Sequence, residues 1–168
     1  PIIRDKIRNL RLTTSDEIIV YLPTYSPSNL IKIINKLTVK KRWTIFSLDA
    51  KKKEKISGVN VEPLSEDIFL KKFASCYGIV CAGGFATTSE AIFLGKPMIV
   101  VPVEGQIEQQ FNAAALKQEG VTVIDKFSDK NINIISNWIS SPRVLEIKYE
   151  DESKKIVKTI LEDYSNLN

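Results

Sequence analysis

The sequence predicts an α/β domain, a single parallel sheet covered by helices on both faces, and three observations carry that prediction. Short apolar runs alternate with amphipathic stretches along the chain, joined by short loops. Gly83-Gly84 stands between an apolar run and a helical stretch, the turn by which a buried strand feeds a helix. At 168 residues, 43% hydrophobic and 26% charged, the chain has the size and composition that bury one core. That composition excludes the disordered and fibrous classes, and no window approaches the roughly 18 apolar residues of a membrane span.

The elements follow in order. Residues 1–16 read as a connecting segment, and 17–22 (EIIVYL) as the first strand. Pro23 to Ser28 is a turn, with Ser28 placed to cap a helix through about Leu37. Residues 43–48 (WTIFSL) form the second strand, Asp49 to Lys55 a charged loop, and Val59-Asn60-Val61 a short third strand. A helix over 66–75 turns Ile68, Phe69, Leu70 and Phe73 inward. Gly78-Ile79-Val80-Cys81 is a buried strand, and the helix after Gly83-Gly84 starts near Ala86 or Thr87. Met98 to Val101 is a strand ending at Pro102, with a helix start at Ile107 to Ala113. A strand at Val121 to Ile124, a helix at Asp129 to Ile139 and an amphipathic helix at Glu152 to Tyr164, within a closing segment 150–168, complete a Rossmann-like domain.

The candidate site lies at the ends of consecutive strands, where open α/β sheets bind ligands. Behind Gly83 and Gly84 a helix start offers unpaired N–H groups and a positive dipole end, which favour phosphate. Thr87, Thr88 and Ser89 add hydroxyls in its first turn, and Glu90 one turn further can accept two hydrogen bonds from a ribose diol. Glu108 and Gln109 open the next helix, an acid and an amide suited to neighbouring sugar hydroxyls. Each has a plainer reading alone: a Thr or Ser that caps a helix, and carboxylates favoured by the dipole of a first turn. Jointly, at these positions, they suit a nucleotide sugar.

The same residues resemble a known family. Glycosyltransferases of the GT-B fold carry a Gly-x-x-(Ser/Thr)-(Ser/Thr)-x-Glu turn, a (Gly)-(Lys/Val)-Pro strand and an (Asp/Glu)-Gln-x-x-Asn-Ala helix start. This chain reads Gly84-Phe85-Ala86-Thr87-Thr88-Ser89-Glu90, then Gly95-Lys96-Pro97, then Glu108-Gln109-Gln110-Phe111-Asn112-Ala113. The resemblance runs more weakly from Ile18 to Asp125. It is strongest to the branch holding the lipid II N-acetylglucosaminyltransferase and the UDP-glycosyltransferases. It implies a donor-binding domain, one half of a GT-B fold, that moves a hexose or N-acetylhexosamine from a UDP-sugar to an acceptor hydroxyl with inversion. By that likeness Gly83, Gly84, Thr87 and Thr88 hold the diphosphate, Glu90 the ribose, and Glu108 with Gln109 the sugar. The loop around Pro63 and Leu64 matches the base-binding loop, though a plain strand-to-helix turn reads as well. The chain departs at Ala82, where plant and animal members place a phosphate-contacting His.

Two further implications come from the family plan. Pro1-Ile2-Ile3-Arg4 looks like the link into the carboxy-terminal domain, so an amino-terminal acceptor domain or a partner subunit is expected to bring the catalytic base. No cofactor is implied, and with neither His nor an Asp-x-Asp pair a metal-independent reaction is favoured. Two alternatives stay open. A UDP-N-acetylglucosamine 2-epimerase shares the fold and the glycine turn but places two adjacent acids after it, where this chain has Thr87-Thr88-Ser89-Glu90. A non-catalytic nucleotide-binding subunit is the other. Lys40-Lys41-Arg42 and Lys51-Lys52-Lys53-Glu54-Lys55, with a net charge of +4, read as solvated loops or a peripheral membrane contact. Nucleic acid is not expected, because no aromatic ladder accompanies the charge. Cys76 and Cys81 read as reduced, which with no visible signal peptide makes the cytoplasm the expected compartment.

Overall fold

The computed structural model describes the chain through Ser165, so positions 166–168 of the expected closing segment lie outside the described residues. In order, the elements are α1 (Asp5–Arg8), β1 (Glu17–Tyr21), α2 (Pro27–Ile34), β2 (Arg42–Ser47), β3 (Glu54–Ile56), β4 (Val59–Pro63) and α3 (Glu66–Ser75). There follow β5 (Gly78–Cys81), α4 (Phe85–Phe93), β6 (Met98–Val100), α5 (Ile107–Gln118), β7 (Thr122–Val123), α6 (Ile132–Ser140, entered by a 3-10 turn at Asp129–Asn131) and α7 (Ser153–Ser165). The strands form one sheet in the order β3-β4-β2-β1-β5-β6-β7. All pairings are parallel except β3 with β4.

Strand alternation divides the core between the two faces of the sheet. Ile18, Val20, Ile45, Val61, Val80 and Ile99 point to one face, where Leu30, Ile31 and Ile34 of α2 and Ile135, Trp138 and Ile139 of α6 cover them. Ile19, Phe46, Ile79, Cys81, Met98 and Val100 point to the other, under Ile7 of α1, Leu70 and Phe73 of α3, Ala91 and Ile92 of α4 and Ala113 of α5. Full burial of each large aliphatic side chain contributes about 1.5–3 kcal/mol, so both layers are needed to hold the sheet. Burial also raises the thiol of Cys81 to about 12, and that of Cys76 likewise to about 12, which keeps both protonated and inert.

Helix ends explain the sharp turns back into the sheet. After α4, Gly95 takes φ +61 and the N–H of Lys96 reaches the carbonyl of Ala91, while the N–H of Gly95 reaches that of Ile92. The same Schellman pattern closes α5, where Gly120 sits at φ +84 and Val121 bonds Leu116. The buried ammonium of Lys96 donates to the carbonyls of Ala74 and Cys76, tying this turn to the carboxyl end of α3.

Three expectations are corrected. The cap of α2 is Ser26, whose hydroxyl accepts the Asn29 N–H, because Pro27 with its fixed φ suits the first helical position. Ser28 instead lies inside the first turn. The charged loop Asp49 to Lys55 ends in strand β3, since Ser57 (φ 48) and Gly58 (φ 87) are both left-handed and make a two-residue hairpin with β4. The sheet therefore has an antiparallel edge. Ile68, expected inward, is exposed, whereas Phe69 is half-buried and Leu70 and Phe73 are buried as read.

Residues 1–16 do more than connect. Ile3 and Ile7 are fully packed into the face under α3 and α4, and Arg8 donates to the carbonyls of Tyr149 and Glu150. Among the described residues no helix is long and apolar enough to cross a membrane.

Candidate nucleotide-sugar site

At the carboxyl edge of the sheet, β5 ends at Cys81 and the chain turns through Ala82, Gly83 and Gly84 into α4. Gly84 occupies the N-cap with φ −66 and ψ 135, and no side chain caps the helix. The first-turn N–H groups of α4 are therefore open to a ligand, and a Cβ at Gly84 would meet nothing within 4 Å. Gly83 is needed for a different reason. A Cβ there would lie 2.7 Å from the Gln109 carbonyl oxygen, so the close approach of α5 excludes any side chain.

Beside this helix start lies a cavity of about 590 Å³ lined by Arg4, Tyr21, Leu64, Glu66, Phe69, Ala86, Thr87 and Glu90. Its apolar side is formed by Tyr21, Leu64 and Phe69, with the Tyr21 and Phe69 rings edge-on at 5.9 Å. Its polar side is a charge cluster. Glu90, only 4% exposed, accepts from Arg4 Nε at 2.6 Å through Oε1 and from Arg4 Nη2 at 3.0 Å through Oε2. Arg4 Nη1 donates to Glu66 Oε1 at 2.9 Å, and Lys6 Nζ to Glu66 Oε2 at 2.7 Å. The hydrogen bond to Glu90, opposed by partial burial and reinforced by the charges of Glu90 and Glu66, raises the Arg4 guanidinium above its ordinary value. The bond from Lys6 and its charge hold the Glu66 carboxyl below its ordinary range. A fixed cation thus sits between two carboxylates next to open amides.

The structure thereby brings together Leu64, Thr87 and Glu90 from the residues that sequence singled out. The others are placed differently. Thr88 is buried and its hydroxyl donates to the carbonyls of Gly84 and Phe85, while Thr87 remains at the cavity wall. Pro63 closes β4 in register with Ser47. Gln109 Oε1 accepts the N–H groups of Gly83 and Val103, both at 3.1 Å, and its amide nitrogen donates to Gln106. Asn112 Nδ2 donates to the Gly83 carbonyl at 3.1 Å. Glu108 is exposed in the first turn of α5, its carboxylate 3.5 Å from the Asn112 amide. The turn at Gly83 is thus stapled to α5 by two amide side chains, and its own N–H is spent there.

Arg4, Tyr21 and Phe69 line the cavity without having been singled out in the sequence for the site, whereas Glu66 ends the loop already read around Pro63 and Leu64. Arg4 lies in the segment read as a connector and meets Glu90 across 86 positions, a pairing no local pattern encodes. Tyr21 alternates with Ile19 on the strand, and that period was the available signal. Tyr25 packs in its turn, its hydroxyl accepting the Phe127 N–H. Part of the basic surface is engaged as well: Arg42 pairs with Asp16, Lys53 with Glu62, and Lys41 lies 3.7 Å from the Tyr77 ring centroid. Among the described residues no group of His, Cys, Asp and Glu side chains could hold a metal ion.

Known proteins share this fold. The family described as glycosyl transferase family 1 matches over residues 1–142. Over 80 residues the chain is 30% identical to the UDP-N-acetylglucosamine–N-acetylmuramyl-(pentapeptide) pyrophosphoryl-undecaprenol N-acetylglucosamine transferase of Sinorhizobium medicae, a stretch that covers 44% of this chain and 21% of that protein. Among solved structures, the glycotransferase of kitacinnamycin superposes with a TM-score of 0.55 at 20% identity, over 75% of this chain and 35% of its own. The glycosyltransferase SnogD from Streptomyces nogalater gives 0.51 at 16% identity, over 94% of this chain and 46% of its own. At such identities the two structures speak for the fold alone. The chain spans less than half the length of each of these proteins.

Proposed function

The chain belongs to glycosyl transferase family 1, and from that footing we propose that it is the donor-binding part of an enzyme that transfers a hexose or N-acetylhexosamine from a UDP-sugar to an acceptor hydroxyl. The observation that carries the reading is the cavity where Leu64, Thr87, Glu90 and Arg4 meet beside the uncapped start of α4. A uridine fits the division of its walls, with the base against Tyr21, Leu64 and Phe69 and the ribose diol at Glu90. The diphosphate then lies along the amides of the first turn of α4, within reach of the Thr87 hydroxyl. The name of the curated relative supports a UDP-sugar as donor.

Glycosyl transfer breaks the bond between the anomeric carbon and the diphosphate, and charge grows on the departing UDP. Fixed N–H groups at α4 and the Arg4 cation meet that charge as it develops, so they stabilise the transition state more than the ground state. This set of donors takes up the charge without a divalent ion. Glu108 is free to accept sugar hydroxyls, whereas Gln109 reaches a sugar only by releasing the Gly83 and Val103 N–H groups; its main part is to hold the turn. The base that deprotonates the acceptor is assigned to a further domain or a partner subunit, and the resemblance implies inversion at the anomeric carbon.

A few charge-assisted hydrogen bonds at roughly 1.5–3 kcal/mol each, less the cost of association, leave about 4–6 kcal/mol, a Kd on the order of 0.1–1 mM. Calorimetry with UDP in the presence of a chelator should show this binding, and Glu90→Ala should weaken it. Absence of binding at millimolar UDP, or strict dependence on a divalent ion, rejects the assignment.

A further inference from the structure

The short helix α1 carries an arginine at each end of its turn, and the two face different parts of the molecule. Arg4, at its N-cap, reaches Glu66 and Glu90 in the cavity. Arg8, at its last position, spans the strap that leads from α6 to α7, donating to the carbonyls of Tyr149 at 2.7 Å and Glu150 at 3.1 Å. Its Nε donates back to the carbonyl of Ile3, the residue before Arg4. Between them Ile7 is fully buried, so the turn cannot rotate without opening the core.

The same strap also grips α4. Arg8 lies 5.2 Å from the ring centroid of Phe93, the last residue of α4, and Lys148 lies 5.3 Å from it. Lys148 Nζ also donates to the Phe93 carbonyl at 3.1 Å. Two cations therefore sit at the carboxyl end of α4, where the helix dipole favours them, and Tyr149 and Leu145 pack against the same core face. Arg4 holds Glu90, one turn before that end.

We propose that Arg8 is a positioning residue for the nucleotide pocket: by binding the strap, the Phe93 ring and the Ile3 carbonyl at once, it fixes α1 against α4 so that Arg4 is presented to Glu90. This rests on the reading of the cavity as the nucleotide site. The geometry links the 142–152 strap to the cavity through α1, so loosening of the strap is felt as disorder of the Arg4–Glu90 pair.

The test is a double-mutant cycle on the intact chain with UDP as probe. Arg8→Met, which keeps the aliphatic stem over Phe93, should raise the UDP Kd by roughly five- to tenfold. In an Arg4→Met background the same change should leave Kd unaltered, although its effect on the melting temperature persists in both. An equal loss of affinity in both backgrounds, or none in the wild-type background, overturns the proposal. Should Arg8→Met fail to fold, Phe93→Leu removes the shared ring with little change in core volume, and the same pattern is required of it. Hydrogen exchange without ligand supplies the arm that does not depend on the nucleotide reading: Arg8→Met should speed exchange at the amides of the strap and of the Glu90 turn together. If the wild-type chain binds no UDP, the nucleotide reading falls, and unchanged exchange at the Glu90 turn would in turn dispose of the link through α1.

Discussion

Thr87 and Thr88 are adjacent in sequence and differ in what their hydroxyls meet. Thr88 is buried and donates to carbonyls of its own helix, whereas Thr87 lines the cavity. A neutral hydrogen bond contributes about 0.5–1.5 kcal/mol net, so Thr87→Val should weaken UDP binding roughly two- to tenfold with an unchanged melting temperature. Thr88→Val should leave the affinity within about twofold, because its hydroxyl is spent before any ligand arrives. Titration of the two variants side by side checks this, and equal losses would show that the first turn of α4 rearranges on binding. A comparable division separates the two glycines, since Gly84 faces open space while Gly83 is forced by the approach of α5.

Among the elements, the half of the sheet nearest β3 depends on a polar layer. Glu17 at the start of β1 is buried and accepts from Lys72 of α3 and from Thr44 of β2. Burial pushes its carboxyl up, but the Thr44 hydroxyl and the Lys72 ammonium pull further, and the group ends below its ordinary 4.5. The deprotonated form is thus favoured by folding. The stability it adds is present above the unfolded value and is lost as pH falls from about 4.5 through the lower folded value. Glu17→Gln should cost about 1–3 kcal/mol at pH 7, measured by denaturant unfolding, with the difference from wild type shrinking below pH 4.5. A difference that stayed constant with pH would assign the effect to packing.

The whole molecule is proposed as half of an active site. Among the described residues, the carboxylates that line the cavity are Glu66 and Glu90, and both are held by Arg4. A general base must face the acceptor hydroxyl, and in the proposed reading both carboxylates instead serve Arg4, with Glu90 turned to the ribose as well. Residues 1–168 alone should therefore bind UDP yet transfer no sugar. Adding the partner domain should restore UDP release in the presence of an acceptor hydroxyl. Transfer by the isolated chain at the rate of the assembled enzyme would relocate the base to this domain.

What was legible in the chain follows from local physics. Period-2 apolar runs and the Gly83-Gly84 turn read directly as a parallel sheet and a helix start, because each depends on residues within one or two turns of one another, whereas the ordered motif from Gly84 to Ala113 was legible through its resemblance to a known family. The Ser57-Gly58 hairpin was equally local and was obscured by the run of lysines before it. Other features depended on contacts distant in sequence. The pairing of Arg4 with Glu90, the stapling of Gly83 by Gln109 and the gathering of Leu64 beside Thr87 join positions brought close by the packing of α1, α4 and α5 on the sheet. Side chains of one type can meet many partners across a folded chain, and the choice among them is made by the core that sets the helices in place.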